Sequence, residues 1–173
     1  WVPASHIGLA VNTFDVDEWM VEEENTTTEE EPLTVIELPK DIDFRMNSSI
    51  NDVNYDHMGI KNLKGDVVMQ GGTACFENAY FELIGGEFKL NGCYDPTDLN
   101  KPTYSFNMDI KNAQITQAYK TFNTIQKLAP IAEAMNGSFS TNFNFSGDLD
   151  QEMMPILEKM SGKGLINIAQ AQL

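Results

Sequence analysis

Polar and apolar residues alternate along most of the chain, and this period of two predicts β-strands separated by short turns. The clearest alternation runs from Thr103 to Lys111, where every second residue is large and apolar. Those residues are Tyr104, Phe106, Met108 and Ile110. An earlier strand repeats the pattern, with Phe44 and Met46 on one face. Strands of this kind bury one face and leave the other in water.

The stretch from Leu63 to Tyr94 contains apolar segments separated by single or paired glycines. Glycine adopts the positive φ that tight turns require, so each interruption predicts a hairpin turn or a bulge. The separating glycines are Gly65, Gly71, Gly72, Gly85, Gly86 and Gly92. This stretch therefore predicts a meander of short antiparallel strands, each followed directly by the next.

The apolar period changes to three and four residues between Gln114 and Met135, which predicts a long amphipathic helix. Asn112 precedes it at a position suited to capping, and Pro130 is expected to separate off a short last piece. A second, short helix is predicted from Asp150 to Met160. Both helices are expected to pack against the sheet or at its end.

Together these patterns predict a mainly β (α+β) fold with a curved, mostly antiparallel meander sheet, one long amphipathic helix and one short helix. Residues 1–173 are expected to form a single domain. The segment 21–32, VEEENTTTEEEP, has glutamates and threonines without apolar periodicity, which predicts a flexible acidic loop.

Acidic residues outnumber basic residues 26 to 11, for a formal net charge of −15. Such a chain repels phosphate backbones, so nucleic acid is excluded as a partner class. No run of about 18 apolar residues is present, and the chain opens on Trp1. We therefore expect no membrane-spanning helix in this sequence, and we expect any targeting signal to have been removed or left out of it.

The sequence lacks a recognisable catalytic or cofactor motif. Its two histidines are His6 and His57, no serine stands in a Gly-x-Ser-x-Gly elbow, and no Walker lysine follows the glycine pairs. An enzyme would require both histidines to converge with carboxylates in one cleft. Cys75 and Cys93 are either two small buried hydrophobic residues or a disulfide. We predict no catalytic residue, no metal and no cofactor.

The apolar strand faces have two interpretations that periodicity cannot separate. They form either an ordinary core under the helices or, in part, an open trough for acyl chains, which flexible methionines would suit. The side chains predicted to line such a trough are Phe44, Met46, Phe81, Leu83, Phe88, Leu90, Tyr104, Phe106 and Met108.

Four segments resemble the C-terminal region of the AsmA family. LKGDVVMQGGTACFENAYFELIGGEFKLNGCYD resembles the family's strands separated by small-residue and Gly-Gly turns. PTYSFNMDIKNAQITQAYKTF resembles its amphipathic strand that leads into a helix. NGSFSTNFNFSGDL and LEKMSGKGLINIAQAQL resemble its last two strands. The resemblance covers roughly residues 38–173, and the glutamate run departs from it.

The resemblance implies a large cell-envelope protein of Gram-negative bacteria, anchored in the inner membrane by an N-terminal helix and otherwise periplasmic. It also implies that this sequence is a soluble fragment of that protein, with membrane contact only through parts outside the sequence. The family's β-rich body is similar to repeating-groove, bridge-like lipid-transfer proteins, and the family is linked to outer-membrane biogenesis. The implied role is a non-enzymatic segment of a groove that handles or transfers phospholipids toward the outer membrane. A second possibility is a structural or assembly module that binds other envelope proteins.

Overall fold

A computed structural model describes residues 5–16, 34–56 and 58–172, and it contains one sheet of eight strands in the order of the sequence. The strands are β1 (Ser5–Asp15), β2 (Phe44–Tyr55), β3 (Met58–Gln70), β4 (Thr73–Leu83), β5 (Gly86–Asp95), β6 (Thr103–Gln114), β7 (Asn136–Asp148) and β8 (Ser161–Gln172). The sheet is mostly antiparallel and does not close on itself. The prediction of a mainly β fold with a meander sheet is confirmed.

One strand pair departs from the meander, because β1 pairs with β2 in parallel. Parallel neighbours cannot be joined by a tight turn. After β1 the chain must therefore return to the end of the sheet at which β1 begins, because β2 begins at that same end. The segment 34–43 is the last part of this connection. The predicted acidic loop, 21–32, lies outside the described residues.

The sheet has one apolar and one polar face, since directly opposed residues of neighbouring strands point to the same side. A row across the sheet defines the apolar face, and we call it the open row: Met46, Val67, Phe76, Gly92, Phe106, Phe145 and Gly162. The adjacent row defines the polar face: Arg45, Val68, Cys75, Cys93, Ser105, Ser146 and Ser161.

Three asparagines in the strands have a left-handed backbone, with φ of 53° at Asn62, 52° at Asn78 and 56° at Asn112. Each stands at or beside a shift of strand register. Asparagine tolerates this conformation better than most residues, and a bulge sharpens the local twist of a sheet. The bulge at Asn78 puts Phe76 and Phe81 on the same face. The prediction that Asn112 caps a helix is wrong, because it lies inside β6.

The predicted long helix over Gln114–Met135 is wrong. The chain instead forms α1 (Ile115–Thr121), α2 (Asn123–Leu128) and a 3₁₀ turn that begins at Pro130. Phe122 separates the helices with an extended backbone (φ −111°, ψ 110°) and packs against the core. Threonine, phenylalanine and asparagine are weak helix formers, so contact of Phe122 with the core outweighs continuation of the helix.

The predicted short helix over Asp150–Met160 is reduced to one 3₁₀ turn at Leu157–Lys159. Pro155 disfavours a helix in the preceding residue and cannot donate a hydrogen bond. The Asp150 carboxylate oxygen Oδ1 instead accepts hydrogen bonds from the backbone N–H groups of Glu152 and Met154, at 2.9 Å each. A turn therefore replaces the expected helix.

We call residues 115–133, which contain α1, α2 and the 3₁₀ turn, the helical segment. The main core lies between the helical segment and one end of the apolar face. Its buried side chains are Ile84, Phe88, Ile110, Ala113 and Ala118. Half-buried neighbours from both layers pack around them: Phe81, Leu83, Met108, Phe122, Ile125, Phe139 and Phe143. At this end of the sheet the apolar face is an ordinary filled core.

Cys75 and Cys93 form a disulfide on the polar face, which decides between the two alternatives that the sequence leaves open. The two residues are directly opposed in the ladder between β4 and β5, with Cα atoms 4.1 Å apart. The bond therefore links the start of β4 to the end of β5, at the open end of the hairpin.

Replacing Gly86 by alanine is expected to destabilise the fold by about 1–3 kcal/mol. A Cβ atom at Gly86 would lie 2.7 Å from the Ala113 nitrogen, the Ala113 Cα and the Lys111 carbonyl oxygen, all backbone atoms that cannot rotate away. The matched control is Gly59→Ala, since a Cβ there meets nothing within 4 Å. In urea unfolding, Gly59→Ala should have the same midpoint as the parent protein, and Gly86→Ala should have a lower one. If Gly86→Ala and Gly59→Ala have the same midpoint, this packing is contradicted.

Candidate functional site

All nine side chains that the sequence predicts to line a trough lie on the apolar face. The ladders pair Tyr104 with Tyr94, Phe106 with Gly92, and Met108 with Leu90. Phe81 pairs with Phe88, Leu83 pairs with Gly86, and the rows that contain Phe44 and Met46 continue to the same face. The structure thus brings together the predicted set, although its members differ in exposure.

Two of the nine are core residues. Phe88 lies under the helical segment and is 5% exposed, and its ring stacks on Phe81 with centroids 5.0 Å apart. Tyr104 is 7% exposed, and its hydroxyl has no hydrogen-bond partner among the described residues. Because both side chains are buried, neither is accessible to a ligand in this structure.

The apolar face is covered at both ends. The helical segment covers one end. At the other end, the Tyr94 hydroxyl donates a hydrogen bond to the Ile36 carbonyl oxygen at 3.0 Å and lies 3.4 Å from Met153 Sδ. Segments 34–43 and 149–160 therefore both contact this end of the face, and the open row lies between it and the end covered by the helical segment.

The open row carries apolar side chains that remain accessible. Phe76 is 51% exposed, and Met46, Phe106 and Phe145 are half-buried. The Phe106 ring lies across Gly92, and a Cβ atom at Gly92 would collide with Phe106 Cδ1. Phe106 and Phe145 are in contact, with ring centroids 5.4 Å apart. The result is an aromatic surface, without polar side chains, in the middle of the sheet.

A second apolar feature, which we call the β8 groove, lies between the helical segment and β8 and has a volume of about 310 Å³. Its larger lining side chains are Ile115, Ile125, Ile131, Met135, Phe139, Ile166 and Ile168. Ile131, Ile166 and Ile168 are more than half exposed, at 62%, 60% and 53%. The groove is therefore an accessible extension of the apolar face toward the edge of the sheet.

Phe76 and the β8 groove are absent from the set predicted from the sequence. A strict period of two would put Phe76 and Phe81 on opposite faces of the sheet, but the bulge at Asn78 puts both on the apolar face. An asparagine inside a strand is the only sequence signal of this shift. The groove depends on the path of the helical segment beside β8, which periodicity does not reveal.

The polar face carries a small network of charges. Arg45 donates hydrogen bonds to Asp66 Oδ2 at 2.8 Å and to Glu77 Oε2 at 2.9 Å, so it links β2, β3 and β4. The hydrogen bond to Glu77, more than any other contact, raises the pKa of Arg45. With both partners partly exposed, this network holds neighbouring strands in register and is not a recess for a ligand.

The structure describes one of the two histidines on which an enzymatic role would depend. His6 lies in β1, an edge strand, and His57 lies outside the described residues. Among residues 5–16, 34–56 and 58–172 there is no group of three His, Cys, Asp or Glu side chains that could hold a metal ion. No helix in those ranges is long and apolar enough to cross a bilayer.

Comparison with known proteins adds no relative. No family model matches the sequence, and no curated protein and no solved structure matches it. The resemblance to the AsmA family therefore remains a prediction from the sequence.

Proposed function

We propose that this chain is a non-enzymatic module of a Gram-negative cell envelope that binds the acyl chains of phospholipids on the open row. In this proposal it is one segment of a periplasmic hydrophobic groove that transfers lipid toward the outer membrane, within a protein anchored in the inner membrane. The observation that carries the proposal is the accessible aromatic surface around Phe76 and Phe106, which lies between the two covered ends of the apolar face.

The chemistry and the dimensions of the open row favour an acyl chain. Acyl chains need no hydrogen bonds, and the row offers none from its side chains. From β2 to β8 the row crosses six spacings of about 4.8 Å each, or roughly 29 Å. One leaflet of a bilayer accounts for about 15 Å of a hydrocarbon core of about 30 Å. The row is therefore long enough for a lipid chain that lies across the strands.

The disulfide supports the proposed compartment. Disulfides form and persist in the bacterial periplasm and are rare in the cytosol. The Cys75–Cys93 bond is therefore consistent with a periplasmic position, which the resemblance to the AsmA family also implies.

A structural or assembly role, in which the chain binds other envelope proteins, is the second candidate. The observation that favours it is the exposed apolar edge strand β8, with Leu165, Ile166 and Ile168 all more than half exposed. Apolar patches of this kind mark protein contacts as well as ligand grooves. The two roles are separable, because Phe76 of the open row lies in β4, whereas Leu165 of the β8 edge points to the polar face.

Replacing Phe76 by serine is expected to weaken binding of a fluorescent fatty acid by about fivefold to tenfold. Half of the side chain is free to be covered by a ligand, and full burial of phenylalanine contributes about 1.5–3 kcal/mol. The measurement is a fluorescence titration of delipidated protein. Leu165→Ser is the control, since Leu165 is 66% exposed but points to the polar face, opposite Asn142.

Two outcomes would count against the proposed site. If Phe76→Ser binds the fatty acid as tightly as the parent, the open row does not hold the acyl chain. If Leu165→Ser loses as much affinity as Phe76→Ser, uptake is a nonspecific property of exposed apolar surface.

A further inference from the structure

The outer edge of β8 is unprotected in the described part of the chain. No described strand pairs with it, and every side chain from Ser161 to Ala169 is exposed. Natural edge strands are blunted by proline, by charges or by bulges. β8 has no proline and no acidic residue, its one charge is Lys163, and its pairing with β7 is regular from Ser161 to Ala169.

Exposed apolar residues stand on both faces of this strand. Ile166 and Ile168 point to the apolar face, where they line the β8 groove, and Leu165 points to the polar face. A lipid on the apolar face would leave Leu165 and the backbone of the edge uncovered. An added strand covers both sets of side chains and supplies hydrogen bonds to the free N–H and C=O groups. The edge therefore fits a protein strand better than a lipid.

We propose that the added strand is β8 of a second copy of this chain, paired antiparallel about a two-fold axis at Asn167. In that register Ile166 opposes the partner's Ile168, and Leu165 opposes the partner's Ala169. Each of these pairs occurs twice. Every apolar side chain between Leu165 and Ala169 then meets an apolar side chain, which is the arrangement that stabilises paired strands.

The other symmetric registers pair these residues poorly. With the axis at Leu165, Ile166 opposes the partner's Gly164 and Ile168 opposes the partner's Gly162. With the axis at Ile166, Leu165 opposes the partner's Asn167. Glycine offers no side chain for contact, so the register centred on Asn167 buries the most apolar surface.

The charge pattern allows this contact in a strongly acidic protein. Each copy has a formal net charge of −15, and two copies repel each other at a distance. β8 itself contributes no carboxylate to the contact, and in the proposed register Lys163 does not oppose the partner's Lys163. Screening of the remaining charges by salt should therefore strengthen the dimer.

A matched pair of cysteine variants tests the register. Asn167→Cys places two thiols directly opposite each other, and such pairs have Cα atoms within the reach of a disulfide. Leu165→Cys puts its thiols on the same exposed face but four residues out of register, about 13 Å apart along the strand. Under mild oxidation we expect a covalent dimer from Asn167→Cys and little from Leu165→Cys, with Cys75–Cys93 already bonded.

Light scattering after size-exclusion chromatography gives the second readout. We expect a dimer that dissociates on dilution, and Leu165→Lys should raise its dissociation constant by more than about tenfold. Fatty-acid uptake by Leu165→Lys should stay unchanged, so that failure of the dimer and failure of lipid binding are distinguishable. A monomer at every concentration and salt level, or equal cross-linking of both cysteine variants, would overturn the proposal.

Discussion

Replacing Phe88 by alanine is expected to destabilise the fold by about 3–5 kcal/mol, the usual cost of removing a buried phenylalanine ring. Phe88 is 5% exposed, stacks on Phe81 and belongs to the cluster between the sheet and the helical segment. The cavity left behind cannot close easily, because strands on both sides hold the position. A domain with a total stability of about 5–15 kcal/mol would lose a large part of it.

Phe76→Ala is the control for Phe88→Ala, since it removes the same side chain from the same face at a position that is 51% exposed. Its expected cost is below about 1 kcal/mol, in line with surface substitutions. Urea unfolding followed by circular dichroism measures both. Equal destabilisation of the two variants would contradict the division of the apolar face into a covered core and an open row.

Removing the disulfide with the double variant Cys75→Ala and Cys93→Ala is expected to cost about 3 kcal/mol. The bond closes a loop between residues 18 apart, and the loss of chain entropy in the unfolded state gives a value of this size. The comparison is again the free energy of unfolding in urea.

A reductant supplies the control for the disulfide variant. It should lower the unfolding midpoint of the parent protein toward that of the double variant and leave the double variant unchanged. An unfolding midpoint in the double variant equal to that of the oxidised parent would show that the bond does not contribute to stability.

The strands and the apolar face could be predicted from the sequence because the pleat of a strand fixes which residues share a side. Tyr104, Phe106 and Met108 alternate without interruption, and β6 places them on the apolar face. The glycine pair at Gly85–Gly86 likewise indicates a turn; Gly85 lies in the turn between β4 and β5, and Gly86 is the first residue of β5. These features depend only on the local alternation of apolar and polar residues and on the residues that favour turns.

The remaining features depend on contacts between distant parts of the chain. Phe122 interrupts a helical pattern because it packs on the core, and the neighbouring sequence gives no sign of that contact. The bulge at Asn78 brings Phe76 into the open row. The disulfide required a known register between β4 and β5, since alternation alone does not say which residues are opposed.

The central claim is that the open row holds lipid, and native mass spectrometry of protein purified without detergent tests it most directly. The proposal predicts a population heavier than the polypeptide by the mass of a phospholipid or fatty acid, which Phe76→Ser reduces and Leu165→Ser does not. A single species at the mass of the polypeptide with one disulfide, together with no uptake of added fatty acid, would contradict it.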